Sequence, residues 1–117
     1  MEILDLQTSP GEAVSRFASS GFTAATVGRI QGGHLAWLRL TAGGRIGRHP
    51  AVGHQLLLLV SGDATVSGHD DVSVELIPGQ AAVWAPGELH QTVSAGGMSA
   101  FVIEGSLELR SDVIRFA

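Results

Sequence analysis

Glycine residues recur at short intervals along this chain, and they restrict its fold more than any other feature. Sixteen of the 117 residues are glycine, and they separate segments of about five to nine residues that are rich in Val, Ile, Leu, Thr, Phe and Trp. Many short apolar segments between turn signals are typical of a β-sandwich or a β-barrel. The sequence therefore predicts an all-β fold. The predicted strands are Phe22–Arg29, His34–Thr41, Gln55–Val60, Ala64–Ser67, Val72–Leu76, Ala81–Trp84, His90–Val93 and Met98–Glu104.

A short N-terminal helix is predicted ahead of these strands. The run Ser9–Glu12 has the form of a capping box with proline at the first helical position. Apolar residues between Ala13 and Ala18 follow at helical spacing, and Gly21 is placed to end the helix. We expect this helix to pack over an edge of the β-structure without a chemical role.

Composition and charge exclude several classes of protein. The formal net charge is −4 and all seven basic residues are scattered arginines, whereas nucleic acid requires a dense positive surface. Cysteine is absent, which excludes disulfides and restricts any metal to nitrogen and oxygen ligands. The N-terminus lacks the features of a signal peptide, and the longest aliphatic run, Leu56–Val60, is too short to cross a membrane. We therefore expect one cytoplasmic domain over residues 1–117, with no nucleic-acid or membrane partner.

Alternation along residues 34–40 indicates a strand that is covered on both faces. One face carries Leu35, Trp37 and Arg39, and the opposite face is also apolar. The run Leu56–Val60 is likewise apolar on both faces. Such strands fit a barrel whose outer wall is covered by a second subunit, so we expect a homodimer. The alternative is packing between two sheets of one subunit.

Two segments of the chain share an order of glycine, short apolar strand, turn and histidine. The first segment, residues 43–62, fits the pattern G-x5-H-x-H-x3-4-E-x6-G at Gly43, His49 and Gly62. Within that pattern, Ala51 stands at the second histidine position and Gln55 stands at the glutamate position.

The second segment, residues 79–94, fits the pattern G-x5-P-x-G-x2-H-x3-N at Gly79, Gly87 and His90, with Ala85 and Ser94 at the proline and asparagine positions. Together the two segments resemble the paired motifs of the cupin superfamily, over about residues 33–105. The resemblance implies a small single-domain cupin of the conserved-barrel type. Its fold would be a jelly-roll β-barrel, also called a double-stranded β-helix.

The same resemblance implies a metal site in the barrel. It carries over His49 and His90 as ligands, places Gln55 where a carboxylate normally binds, and leaves Ala51 unable to ligate. The neighbouring His54 is a candidate replacement if the backbone bulges at Gly53, because adjacent residues in a regular strand point to opposite faces. Such a site suits a divalent transition metal, namely Zn, Fe, Ni, Mn or Cu. Since all four candidate ligands are neutral, we expect weak metal binding or a site completed by an anionic small molecule.

Three further residues are candidates for the ligand pocket. Trp84 and Trp37 could stack on a ligand at the barrel mouth, although large aromatic residues also serve as core. Arg39 could pair with a carboxylate, although a solvated surface position is the alternative. The function predicted from the resemblance is small-molecule binding, with metal-dependent oxygenase chemistry if the protein is an enzyme. The alternative is a non-catalytic ligand-binding or sensing module with a degenerate, metal-free site, and the sequence leaves open whether the protein is catalytic.

Overall fold

The computed structural model describes residues 1–116, and these residues form short β-strands joined by tight turns. In chain order the strands are β1 (Glu2–Asp5), β2 (Glu12–Ala13), β3 (Thr23–Ala24), β4 (Gly28–Leu40), β5 (Arg45–Pro50), β6 (His54–Gly62), β7 (Ala64–Ser67), β8 (Ser73–Leu76), β9 (Gln80–Trp84), β10 (Leu89–Val93), β11 (Met98–Leu109) and β12 (Arg115–Phe116). The glycine-separated segments are thus strands, as the sequence predicted. Several turns use a glycine with positive φ, among them those at Gly43, Gly62 and Gly79, a conformation that other residues rarely adopt.

Ten of these strands form two sheets that pack face to face. The larger sheet has the order β12-β1-β9-β6-β11-β4, and the smaller has the order β5-β10-β7-β8. The remaining two, β2 and β3, form a separate ribbon. Within residues 1–116 the pairings give two sheets and do not join into one closed ring. The all-β prediction is confirmed, and two facing sheets are the arrangement of the predicted jelly roll.

Alternation along β6 explains where the core lies. Leu57 and Leu59 point between the two sheets and are buried there, together with Trp84 from β9. Leu56 and Leu58 point to the outer face, where they pack against a second cluster that contains Val113 from the C-terminal segment. The outer face of β6 is therefore covered by the chain itself, which accounts for a strand that is apolar on both faces.

The predicted N-terminal helix is wrong. Residues 9–21 contain β2 and a single 3-10 turn at Arg16–Ala18, within which Phe17 has a positive φ. The Ser9 hydroxyl donates to the Asp5 carbonyl and accepts from the Ile114 amide, so it ties two chain segments together and does not cap a helix. The Phe17 side chain is 91% exposed. A short helix needs a surface on which to bury its apolar face, and this one has none.

Several strand boundaries also differ from the prediction. The sequence did not identify β1 or β5, and it divided the long strand β4 into two. The strand β5 is the more important omission because it carries His49. Among the described residues, no helix is long and apolar enough to cross a membrane.

Candidate functional site

Four side chains from neighbouring strands lie in one row across the inner face of the larger sheet. His34 of β4 is the cross-strand partner of Glu104 of β11. Glu104 is also the partner of Gln55 of β6, and Gln55 is the partner of Trp84 of β9. Direct cross-strand partners point to the same face of a sheet. These four residues therefore share one face, at the same level along their strands.

The row continues onto the smaller sheet through two histidines. The His90 ring centroid lies 4.5 Å from the Trp84 ring, with the planes inclined by 32°. His49 is the cross-strand partner of His90, and their ring centroids are 4.3 Å apart. We call the six residues of this row the belt: His34, Glu104, Gln55, Trp84, His90 and His49.

Hydrogen bonds fix the acidic part of the belt. The Gln55 amide nitrogen donates to Glu104 Oε1 at 2.9 Å, and His34 Nε2 lies 3.3 Å from Glu104 Oε2. The Glu104 side chain is 27% exposed, so its charge is partly shielded from water. An amide at position 55 can donate a hydrogen bond to this carboxylate, whereas a second carboxylate there would repel it.

Backbone carbonyls hold both histidines of the smaller sheet in the same tautomer. His49 Nδ1 lies 2.6 Å from the Gly47 carbonyl oxygen, and His90 Nδ1 lies 3.2 Å from the Glu88 carbonyl oxygen. Because a carbonyl oxygen only accepts hydrogen bonds, Nδ1 carries the proton in each ring. Each neutral ring then has its free lone pair on Nε2, as a metal ligand or a hydrogen-bond acceptor requires.

The environment of His90 favours its neutral form. Burial lowers the pKa of the imidazole, and the neighbouring His49 acts in the same direction. The hydrogen bond to Glu88 and the carboxylates of Glu88 and Glu104 oppose this effect without reversing it. At neutral pH the His90 imidazole is therefore uncharged and can donate its Nε2 lone pair. The negative charge of Glu104 also acts on this ring.

Glu88 organises the turn from which β10 and His90 begin. Its carboxylate accepts hydrogen bonds from the N-terminal ammonium at 2.7 Å and from the amides of Ala85 and His69. Desolvation raises the pKa of Glu88, but these hydrogen bonds outweigh it and the net pKa is lowered. Glu88 is thus ionised, and its carboxylate oxygens already accept hydrogen bonds from the N-terminal ammonium and from backbone amides. Glu88 therefore stabilises the turn before His90 and is not part of the belt.

The structure separates His54 from the other predicted metal ligands. His54 Nδ1 accepts a hydrogen bond from the Leu107 amide at 3.2 Å, which places the proton on Nε2 and gives the tautomer opposite to that of His49 and His90. The His54 side chain lines a cavity of about 250 Å³ with Glu2, Val83, Leu107, Leu109 and Arg115. Val83, Leu107 and Leu109 belong to the outer cluster. His54 thus lies on the face of β6 opposite to Gln55.

The three predicted pocket residues are also distributed over both faces. Trp84 is fully buried and its indole N–H donates to the Ser67 carbonyl at 3.1 Å, so it lies in the core and contributes to the belt through one ring face. Trp37 is 43% exposed on the outer face of β4, edge-on to Phe101 with ring centroids 4.6 Å apart. Arg39 is exposed on that same outer face of β4, away from the belt.

The donor set of the belt fits a divalent metal in part. His49 and His90 supply two correctly protonated imidazoles, and Gln55 supplies a neutral amide. No three His, Asp or Glu side chains within residues 1–116 already converge as a metal site. The two imidazoles are nitrogen ligands of the kind that Zn, Fe, Ni, Mn or Cu accept, but two imidazoles alone do not complete a metal site.

Sequence reasoning missed Glu104 and assigned His34 no role in the site. The signal for Glu104 was available, because the predicted strand Met98–Glu104 places this residue on the same face as Met98, Ala100 and Val102. Those three residues are core. An acidic residue on the same strand face as core residues indicates a polar site at the edge of the core. Its pairing with Gln55 depends on strand register, which the sequence did not reveal.

Comparison with known proteins places the fold. The sequence matches no protein-family model, and no curated protein is similar enough to count as a relative. Solved structures do match. A cupin superfamily protein from Desulfitobacterium hafniense superposes with a TM-score of 0.59 at 15% identity, over 68% of this chain and 76% of that chain. A conserved protein with a double-stranded β-helix domain from Klebsiella pneumoniae gives a TM-score of 0.58 at 18% identity, over 80% and 88%.

A third match is a protein of unknown function from Streptococcus pyogenes. Its TM-score is 0.58 at 22% identity, over 63% of this chain and 64% of that chain. The present chain therefore spans slightly less than two thirds of the length of that protein. At these identities the comparisons establish the fold alone.

Proposed function

Since the chain has the cupin fold, as its two motifs predicted, we propose that it binds a small molecule at the belt and holds a divalent transition metal there through His49 and His90. One observation carries this proposal. Both imidazoles donate Nδ1–H to a backbone carbonyl, which leaves both Nε2 lone pairs free. Ligating histidines in proteins are commonly oriented in this way.

The chain's own residues define what the site can do. Burial keeps His90 neutral and able to ligate, and the Trp84 ring restricts its orientation from the other side. His49 is exposed, so the site is open to solvent on that side and a small molecule can approach there. When bound, the metal would supply Lewis-acid polarisation of a ligand oxygen. If the protein is an enzyme, metal-dependent oxygenase chemistry is the reaction class that we propose to assay.

Metal titration with matched histidine variants tests this proposal. Protein purified without chelator is analysed by elemental mass spectrometry and titrated with Zn²⁺, Fe²⁺, Ni²⁺, Mn²⁺ and Cu²⁺. We expect one metal per chain in the parent, and loss of binding in His49→Ala and His90→Ala. His54→Ala is the control, because it removes an imidazole from the opposite face of β6, and it should bind as the parent does. Equal metal content in the parent and the His49→Ala/His90→Ala double variant would contradict the proposal.

A metal-free binding module is the second candidate function. It is supported by Gln55 at the usual carboxylate position and by the engagement of Glu104 with Gln55 and His34. In that case small polar molecules should raise the melting temperature equally with and without chelator. A rise that requires metal would favour the first candidate.

We also propose that the protein is a homodimer that associates through the outer face of β4. Leu35, Trp37 and Phe101 are exposed side by side on this face, at 63%, 43% and 38%, and β4 is the last strand of its sheet within the described residues. An apolar face beside a long sheet edge favours pairing with a second copy. The molar mass from light scattering should be twice that of the chain. It should fall to the monomer value in Trp37→Glu, whereas Arg29→Glu on the same strand should remain dimeric.

A further inference from the structure

We infer that the N-terminal ribbon is an arm that packs on the outer face of a second copy of this chain, so that the two copies of the homodimer exchange arms. The arm comprises residues 8–26, which contain β2, the 3-10 turn Arg16–Ala18 and β3. This inference rests on the proposed dimer, and it names the segment that covers the exposed outer face in that dimer.

The arm has no packing surface within its own subunit. Among the described residues, β2 and β3 pair only with each other, and none of residues 8–26 is buried. The two phenylalanines of the arm, Phe17 and Phe22, are both exposed. A segment that exposes two aromatic rings and covers nothing in its own subunit is typical of one that packs against another molecule.

The backbone of the 3-10 turn leads to the same conclusion. Phe17 and Ala18 both have positive φ, at 61° and 57°, which is unfavourable for residues that carry a Cβ. Two such residues in succession persist only where surrounding structure holds them in place. Phe17 has almost no surroundings within its own subunit, so a contact from outside is needed to hold the turn.

An apolar surface of matching character lies on the larger sheet. Its outer face is covered by the C-terminal segment only in part, where Val113 packs over Leu56. Over β4 and β11 the face remains uncovered, and four large apolar side chains there are each more than a third exposed. We call these four residues the outer patch: Ile30, Leu35, Trp37 and Phe101.

The arm is placed to reach such a patch. It joins β4 through residues 25–27, and Val27 is fixed there because its carbonyl accepts a hydrogen bond from the Arg110 amide. Five residues separate the paired Glu12 from Phe17, an extended length of about 17 Å. Since neighbouring strands lie about 5 Å apart, this length spans three strands of a sheet.

Symmetry identifies the partner as a second copy. Each chain has one arm and one outer patch, so a two-fold dimer in which each arm covers the other chain's patch leaves neither surface exposed. The arm does not cover its own patch, because Phe17 and Leu35 are both exposed in the single chain. A different protein bound to the patch would leave the arm exposed.

Two serine variants test the inference through the dissociation constant of the dimer. Phe17→Ser removes the ring from the arm, whereas Val52→Ser removes an equally exposed apolar side chain from the turn between β5 and β6. Sedimentation velocity over a dilution series measures dissociation, and circular dichroism checks folding. We expect Phe17→Ser to weaken the dimer at least about tenfold and Val52→Ser to dimerise as the parent does.

Disulfide cross-linking locates the arm, because the chain has no cysteine of its own. Phe17→Cys and Leu35→Cys are mixed, left to exchange subunits and oxidised, and the disulfides are identified by peptide mass spectrometry. A disulfide between positions 17 and 35 must then join two chains, and we expect it as the main product. Val52→Cys mixed with Leu35→Cys is the control and should give only background cross-linking.

The outcomes separate the arm from the dimer itself. If the parent is a dimer and Phe17→Ser dimerises equally well, the inference is overturned and the dimer stands. Weaker dimerisation without the cross-link would place the arm elsewhere than on the outer patch, and would overturn the inference too. So would a disulfide closed within one chain of Phe17→Cys/Leu35→Cys. A monomeric parent would overturn both the proposed dimer and the exchange of arms.

Discussion

Gln55 and Glu104 face each other across strands β6 and β11, and the amide nitrogen of Gln55 donates a hydrogen bond of 2.9 Å to the carboxylate. The pair sits between His34 on one side and Trp84 on the other. An amide is the side chain of this size that can donate to Glu104 without adding charge. This contact explains why glutamine, and not glutamate, suits position 55 in this chain.

Replacement of Gln55 by glutamate should therefore destabilise the fold at neutral pH. The variant loses the hydrogen bond and places two carboxylates together, and we expect the free energy of unfolding to fall by about 1–3 kcal/mol. Urea denaturation at pH 7 measures this loss, which should shrink in mild acid as one carboxyl takes up a proton. Gln7→Glu, at an exposed position, is the control and should change little. Equal stabilities for both variants would show that the contact contributes nothing.

His90 should make the stability of the protein depend on pH. Its pKa is lowered in the folded state from the ordinary value of 6.5, so below about 6.5 the unfolded chain binds more protons than the folded chain. The free energy of unfolding should therefore decrease as the pH falls from 7 toward the folded pKa. Glu88 also has a lowered pKa, but its effect begins only below its ordinary value of 4.5.

Melting temperatures between pH 5 and pH 7 check this expectation. His90→Gln should have a flatter profile than the parent, because its side chain takes up no proton in this range. His69→Gln removes an imidazole from an exposed turn and should leave the slope unchanged. A parent profile as flat as that of His90→Gln would contradict the proposed burial of a neutral imidazole.

The fluorescence of Trp84 should report the protonation of His90 directly. The two rings lie 4.5 Å apart, and a protonated imidazole in contact with indole quenches its emission. The chain has two tryptophans, so Trp37→Phe leaves Trp84 as the single emitter. Its emission should decrease in acid with a midpoint below 6.5, in line with the lowered pKa. Trp84→Phe leaves only Trp37, which packs on Phe101 and should show no such transition.

The sequence predicted the parts of this protein that depend on local spacing. Glycine intervals predicted most strands, and the two motifs predicted the cupin fold and brought together His49 and His90. The predicted N-terminal helix is absent because apolar residues at helical spacing, such as Ala13 and Val14, stabilise a helix only where another surface covers them. The Ser9 hydroxyl also had a long-range partner, the Ile114 amide, which no local pattern contains.

The rest of the site depends on strand register. Alternation alone placed His54 and Gln55 on opposite faces, and a bulge at Gly53 was needed to bring both to the metal. The observed β6 is regular from His54 onward in its pairing with β9 and β11 up to Leu59, so His54 stays on the outer face. Glu104 enters the belt because β11 pairs beside β6, and that pairing joins residues 49 positions apart. Such distant neighbours cannot be derived from the spacing within either segment.

Gly33 contacts the backbone of Glu104 and should control where this carboxylate lies. Gly32 and Gly33 both have positive φ, at 64° and 89°, beside the register shift that follows Glu104 in the β4–β11 pair. A Cβ added at Gly33 would overlap the Glu104 carbonyl, whereas one at Gly32 would meet no atom within 4 Å. Alanine at either position would therefore have a strained backbone, but only alanine at position 33 would displace β11.

Alanine at these two positions separates strain from displacement. Gly32→Ala should cost about 1–2 kcal/mol of unfolding free energy, since it forces a left-handed conformation on alanine. Gly33→Ala should cost roughly 1–3 kcal/mol more, because β11 must move away at Glu104. Urea denaturation of both variants measures the two losses. Equal losses in the two variants would mean that β11 accommodates the added methyl group at position 33 without a further cost.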